Sequence, residues 1–117
     1  MKQISVILAT ILFATYAQAI TCTGTFETVN EEDQLVTQKA DLTVDVEDAA
    51  FIRLNTDIGD YHFSVQGDKA SNKYLMMITI GPVYMSGVTA AMTWDQDNSM
   101  RITRVDGTNV YKLACQK

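Results

Sequence analysis

The sequence predicts a small all-β domain, and three observations support this: alternating strands, polar turns between them, and two cysteines near the ends. Residues 36–46, 60–66 and 88–94 alternate apolar with polar side chains, a period-two pattern typical of strands with one buried face. No segment after residue 19 sustains the 3.6-residue period of a helix. We therefore predict an antiparallel meander of about eight strands, at residues 22–29, 35–46, 50–55, 60–66, 72–80, 83–94, 99–105 and 109–115.

Short polar segments separate these strands. The Asp106-Gly107 pair is typical of a two-residue β-hairpin, and pairing outward from it places Ile102 opposite Tyr111, both apolar. Residues 30–33 predict a loop, with the start of a short helix as the alternative. Because most connections are short, strands adjacent in sequence are expected to be antiparallel neighbours.

The two cysteines, Cys22 and Cys115, lie in the first and last predicted strands. Alternation places both side chains on the inward face, so we predict a disulfide that joins these strands. A C-x-x-C redox motif is absent, which favours a structural bond. A bond between first and last strands fits a sheet closed into a small barrel, with a flattened two-sheet sandwich as the alternative.

Residues 1–19 have the features of a signal peptide. Lys2 supplies a positive charge, residues 4–13 are mostly apolar, and residues 17–19 (Ala-Gln-Ala) match the small-x-small cleavage pattern. The apolar run is shorter than the roughly 20 residues of a transmembrane helix. We predict export to the periplasm or the extracellular space, no integral membrane association, and a single β domain over residues 20–117.

The predicted mature domain is acidic. The chain has nine basic and fourteen acidic residues; Lys2 lies in the signal peptide, so eight bases against fourteen acids leave a net charge of −6. Such a charge argues against binding to nucleic acid, which needs basic patches, and suits a cationic protein partner. The acids Glu31, Glu32 and Asp33 cluster in one predicted loop and are candidate partner-binding residues.

A second candidate surface is apolar. The strand at residues 72–80 is apolar on both faces in its middle, which indicates that its outer face is covered or contacts a partner. Leu75 and Met77 on this strand, with Tyr84 on the next, are therefore further candidate partner-binding residues. The several methionines fill gaps in a narrow core or, alternatively, line an adaptable ligand surface.

Residues for catalysis or metal binding do not form a recognisable set. The one histidine, His62, is followed two positions later by Ser64, and residues at that spacing on a strand lie about 7 Å apart, too far for a nucleophile–base pair. Residues 95–99 have the spacing of a calcium loop, but Met100 stands where the loop requires glycine and the bidentate glutamate is absent. We predict no catalytic residue, no metal and no cofactor.

In its expected architecture the chain resembles the bacterial C-type lysozyme inhibitors, which are small exported barrels with cysteines near both ends. Residues 86–87 (Ser-Gly) are similar to the start of their Ser-Gly loop. Residues 88–90 (Val-Thr-Ala) follow where that family carries a tyrosine, and Asp95 follows Trp94 where it carries a Lys-Gly pair. The resemblance therefore assigns no binding residue to this chain.

Together these patterns predict an exported binding module rather than an enzyme. Its expected partner is a protein that binds to an acidic surface of the β-sheet. The module could act as an inhibitor of that partner. The alternative is a carrier of a small ligand with its site in the barrel interior or mouth.

Overall fold

A computed structural model describes residues 20–81 and 86–117. The predicted signal peptide at residues 1–19 and the candidate Tyr84 lie outside the described residues. The described residues contain nine strands and no helix, which confirms the all-β prediction. The strands are β1 (Thr21–Val29), β2 (Leu35–Asp41), β3 (Thr43–Glu47), β4 (Phe51–Ile58), β5 (Tyr61–Asp68), β6 (Lys73–Ile80), β7 (Ser86–Met92), β8 (Ser99–Asp106) and β9 (Asn109–Gln116).

The strands form two antiparallel sheets packed as a sandwich. The first sheet has the order β2-β1-β9-β8, and the second has the order β3-β4-β5-β6-β7. The predicted closed barrel is therefore wrong, and the flattened two-sheet alternative fits the structure. In the described part of the chain no ladder joins β2 to β3 or β7 to β8, so the sheet is interrupted at both crossings between the two layers.

The first crossing takes place at Leu42. The sequence pattern predicts one strand over residues 35–46, but the structure divides it into β2 in the first sheet and β3 in the second. The Leu42 side chain is buried between the layers, and its N–H donates to the carbonyl oxygen of Cys22 at 2.9 Å. A strand that bends from one sheet into the next makes a corner of the sandwich, and its period-two pattern continues through the bend.

The disulfide between Cys22 and Cys115 is present, as predicted. The two residues lie directly opposite each other in the β1–β9 ladder, with 4.1 Å between their Cα atoms. Both side chains are buried in the core. A buried structural disulfide is typical of proteins that fold in an oxidising compartment outside the cytoplasm. Among the described residues, none forms a helix with the length and apolar character needed to span a membrane.

The core between the sheets is filled by side chains. Phe63 on β5 is fully buried and faces Gly24 on β1, where an added Cβ atom would lie only 2.9 Å from the phenyl ring. The two layers approach this closely because position 24 has no side chain. The largest fully buried side chains are Phe63, Leu54, Met76, Ile78, Met100, Leu113 and Val65.

The β8–β9 hairpin has the predicted faces but a different register. The structure pairs Asp106 with Asn109 and Ile102 with Leu113, so the prediction that placed Ile102 opposite Tyr111 is wrong. The two loop residues are 107 and 108, and Gly107 adopts a positive φ of 63°, which suits a turn that prefers glycine at its first position. Relative to the predicted pairing, the two strands are shifted by two residues. Because side chains alternate with a period of two, an even shift keeps the same side chains on the inward face.

Candidate binding site

Two turns lie side by side at one end of the sandwich, which we call the acidic end, and a third turn is set back from them across the layers, opposite Phe26 and Gln38. The three turns are residues 30–34 between β1 and β2, residues 107–108 between β8 and β9, and residues 59–60 between β4 and β5. The first two are adjacent because β1 pairs with β9, and the Thr28 hydroxyl donates to Asn109 Oδ1 at 2.7 Å. The third lies across the layers from β1 and β2.

The turn at residues 30–34 is organised by Asn30. Its side-chain oxygen accepts hydrogen bonds from the N–H groups of Glu32 and Gln34, both at 2.9 Å, in the manner of an Asx turn. Asp33 takes a left-handed φ of 59°, which aspartate tolerates better than most residues. The predicted loop is confirmed, and the side chains of Glu31, Glu32 and Asp33 all point into solvent.

Other acids extend this negative surface. Asp60 and Asp106 are exposed in the neighbouring turns. Within the described residues, these two and the three acids of the 30–34 turn form no ion pair; the acids that do are Asp45, Glu47, Asp97, Glu27 and Asp57. Arg104 lies opposite Tyr111 in the β8–β9 ladder and on the same strand face as Asp106, and its Nε atom is buried without a hydrogen-bond partner among the described residues. The acidic end therefore presents carboxylates that no described cation neutralises.

Exposed aliphatic side chains lie beside these carboxylates. Leu35 and Val105 are each 67% exposed and Val29 is 45% exposed. Val29 and Leu35 are directly opposite in the β1–β2 ladder, and Val105 is opposite Val110 in the β8–β9 ladder. An apolar group rimmed by charges is the usual composition of a protein-binding surface.

A small cleft opens between the two sheets near the same end, and we call it the aromatic cleft. It has a volume of about 160 Å³. Three rings form one stack beside it: Tyr111 lies 3.7 Å from Tyr61 and 5.1 Å from Phe26, measured between ring centroids. The lining residues are Phe26, Gln38, Ile58, Gly59, Asp60, Tyr61 and Tyr111.

The position of the cleft follows from the crossing at Leu42. Because the chain turns into the second sheet there, β3 pairs with β4 only along Ile52–Asn55. The remaining part of β4, residues 56–58, has no ladder partner on that side, and the β2 edge facing it is also unpaired. The seam between β2 and β4 thus leaves Phe26 and Tyr61 partly accessible from outside, while Tyr111 stays buried between them.

The central ring of the stack, Tyr111, stays un-ionised well into the alkaline range. Burial raises the pKa of Tyr111 above its ordinary value of 10.0, and its hydrogen bond with Tyr61 raises it further. Its side chain is only 3% exposed. Burial and stacking between Phe26 and Tyr61 place this ring at the back of the cleft.

We expect the shifted pKa of Tyr111 to make stability fall in alkaline solution. Above about pH 10 the unfolded chain loses this proton while the native state keeps it, so the free energy of unfolding decreases by at most about 1.4 kcal/mol per pH unit. Urea denaturation of the wild type and Tyr111→Phe at several pH values measures this slope. The phenylalanine variant should show a shallower decrease, and equal slopes would contradict the assignment.

The other predicted partner-binding residues lie elsewhere. Leu75 and Met77 are half-buried on the outer face of β6, in the second sheet, with Ser64 opposite Met77 in the β5–β6 ladder. This face is separate from the 30–34 turn, which joins two strands of the first sheet. The structure therefore does not bring these two residues together with Glu31, Glu32 and Asp33.

Two polar features of the sequence have local partners in the structure. His62 Nδ1 lies 2.7 Å from Asp57 Oδ1 on the outer face of the second sheet. In the loop before β8, the hydroxyl and N–H of Ser99 both donate to Asp97, and the hydroxyl bond lowers the pKa of the Asp97 carboxyl below 3.8. Among the described residues, no group of three or more His, Cys, Asp or Glu side chains is placed to hold a metal ion.

The aromatic cleft was missed from the sequence. Alternation does place Phe26, Tyr61 and Tyr111 on inward faces, and that was the available signal. Their convergence in one stack depends on how far the two sheets overlap, which no local pattern specifies.

The fold and the surface together describe the structural class of this protein. It is a small antiparallel β-sandwich with a disulfide between its first and last strands, an acidic end and an aromatic cleft. No protein-family model matches the chain, and comparison with curated proteins and with solved structures found no significant match. None of these comparisons supports the likeness to the bacterial C-type lysozyme inhibitors.

Proposed function

We propose that this protein is an exported, non-catalytic binding module that engages a cationic protein partner through its acidic end. The observation that carries the proposal is a set of five exposed carboxylates outside any described ion pair, four of them beside exposed aliphatic side chains and the fifth at the aromatic cleft. The carboxylates are Glu31, Glu32, Asp33, Asp60 and Asp106. Carboxylates speed encounter with a cationic partner, and the aliphatic side chains supply apolar area that is buried on contact.

The mode of action follows from the shape of this surface. The 30–34 and 107–108 turns are held side by side by the β1–β9 ladder, so part of the surface is organised before the partner binds, which reduces the conformational entropy lost on binding. An exposed end formed by hairpin turns suits insertion into a groove or active-site cleft, which is why an inhibitor is included in the proposal. The periplasm or the extracellular space is the proposed location, in keeping with the buried disulfide.

A small-ligand carrier is the second candidate, and the core packing weighs against it. Met76, Met100 and Phe63 in the middle of the sandwich are fully buried and fill the space between the sheets. The aromatic cleft, at about 160 Å³, is well below the roughly 300–1,000 Å³ of typical small-molecule sites. A larger surface cleft of about 440 Å³ beside Thr23, Arg101 and Gln116 has a lining that is more polar than apolar, unlike the mainly apolar lining of such sites. These observations support the protein binder.

Neutralising the acidic turn should slow association with a cationic partner. For Glu31→Gln/Glu32→Gln/Asp33→Asn we expect a roughly tenfold lower association rate constant at low salt, because electrostatic steering is weakened. Immobilised deca-lysine is the first probe, measured by biolayer interferometry at several salt concentrations. Binding to the wild type should weaken as salt rises, because the Debye length shortens to about 8 Å at physiological ionic strength.

The matched control removes the same charge from the opposite end of the sandwich. The control variant is Asp41→Asn/Asp68→Asn/Asp95→Asn. Its three positions lie away from the three turns, so it should reduce the association rate much less than the first variant. His62→Ala should leave the rate nearly unchanged. Equal losses in both triple variants, or a rate indifferent to salt, would contradict binding through the acidic end.

A further inference from the structure

We propose that the aromatic cleft is a subsite for an arginine side chain of the partner. This inference rests on the proposed function and adds the chemistry of the residue that anchors the contact. It follows from the size of the cleft, the groups that line it and its place at the acidic end.

The size of the cleft matches one long side chain. Its volume of about 160 Å³ leaves no room for a drug-sized ligand, but it admits a flat group on an alkyl stem. The opening lies in the seam between β2 and β4, where neither strand edge has a ladder partner. A side chain projecting from a partner can therefore enter without displacing a strand.

The lining combines aromatic rings with oxygen acceptors. Phe26 and Tyr61 are partly exposed at the two ends of the ring stack, and the exposed Asp60 lies at the rim together with Gln38. A guanidinium group is planar, stacks on aromatic rings and donates to carboxylate and amide oxygens. Ile58 offers an apolar surface for the methylene stem.

Arginine satisfies this lining better than the other candidates. A phenylalanine would use the rings and Ile58 but would leave the Asp60 carboxylate without a partner. A lysine ammonium is more strongly hydrated and cannot stack as a plane. The five carboxylates of the acidic end add long-range attraction for a cation, which is the charge complementarity that this occupant requires.

The support behind the rings is a buried, stacked side chain. Tyr111 is buried between Phe26 and Tyr61 and its ring is stacked against both. It sits on β9, four residues before the disulfide at Cys115. A cleft whose back wall is fixed in this way costs little ordering entropy when a side chain enters it.

The test is an NMR titration of the oxidised protein with three small probes: Nα-acetyl-arginine methylamide and its citrulline and lysine analogues. Citrulline has nearly the same shape as arginine but no charge. We expect saturable shifts for the arginine probe at Gly59, Tyr61 and Phe26, and at least fivefold weaker binding of the citrulline probe. The lysine probe should fall between them.

Two variants locate the binding. Asp60→Asn changes one exposed atom and should weaken arginine binding roughly fivefold, whereas Asp95→Asn at the opposite end should leave it unchanged. Tyr61→Leu should weaken arginine binding by a similar or larger factor. If Tyr61→Leu folds poorly, Asp60→Asn, which should retain the wild-type spectrum, still tests the subsite. Equal affinity for arginine and citrulline, or shifts confined to residues 31–33, would overturn the subsite.

The outcome separates this inference from the proposed function. If deca-lysine binds at the acidic end and the arginine probe does not enter the cleft, the arginine subsite is wrong and the binding module stands. If neither probe binds at this end, both proposals are wrong.

Discussion

Removing the disulfide is expected to lower the free energy of unfolding by about 4–5 kcal/mol. The bond joins residues 93 positions apart, so it closes nearly the whole folded domain into one loop. In the chain-entropy description, the constraint acts mainly by reducing the conformations available to the unfolded chain. For a domain of about 100 residues, this corresponds to a melting temperature lower by roughly 20 °C or more.

Two preparations distinguish the effect of losing the disulfide bond from the effect of losing the cysteine side chains. The wild type reduced with dithiothreitol loses the bond and keeps both sulfur atoms, whereas Cys22→Ala/Cys115→Ala also loses buried volume. Differential scanning calorimetry should show a large decrease in both, slightly larger in the alanine variant. Far-UV circular dichroism at low temperature should remain β-rich, because the β1–β9 ladder continues from the bond as far as Glu27 and Val110. A decrease below about 1 kcal/mol would contradict this account.

Phe63→Ala should destabilise the domain by about 3–5 kcal/mol. The ring is fully buried and occupies the space that Gly24 leaves between the two sheets. Truncation removes the apolar contacts of the ring and leaves a cavity, since the backbone on both sides is held by ladder hydrogen bonds. Urea denaturation should show a lower midpoint with little change in the m-value.

A matched phenylalanine is available in the same sheet. Phe51 begins β4 and is only partly buried, so Phe51→Ala should cost clearly less than half as much as Phe63→Ala. Comparable losses at the two positions would mean that Phe63 is not the centre of the core. A rescue experiment adds a further check, because Gly24→Ala should partly refill the cavity of Phe63→Ala while destabilising the wild type by overpacking.

Much of the local structure was predictable from the sequence because it depends on neighbouring residues. Period-two alternation identified the strands, and the polar loop at residues 30–33 followed from its composition. The inward parity of Cys22 and Cys115 predicted the disulfide correctly. In the β8–β9 hairpin, alternation fixed the faces, but the register depended on the positive φ that Gly107 adopts in the turn.

The candidate site was predictable only in part. Glu31, Glu32 and Asp33 were recognisable as exposed acids from the sequence. Their position beside Asp106 depends on the pairing of β1 with β9, which brings distant parts of the chain together. Leu75 and Met77 fitted the same functional hypothesis by composition, yet the sheet order places them on a different face.

The sequence by itself was enough to predict an acidic, all-β protein whose first and last strands are joined by a disulfide. Alternation and cysteine parity depend only on neighbouring residues, and net charge follows from counting residues. Only the tertiary structure decided between barrel and sandwich. The alternation over residues 35–46 continues unchanged through Leu42, so the pattern does not reveal that the strand changes sheets there. That crossing leaves the facing edges of β2 and β4 unpaired and opens the seam over Phe26 and Tyr61. Which strands pair depends on how the two sheets overlap, and a local pattern does not specify that overlap.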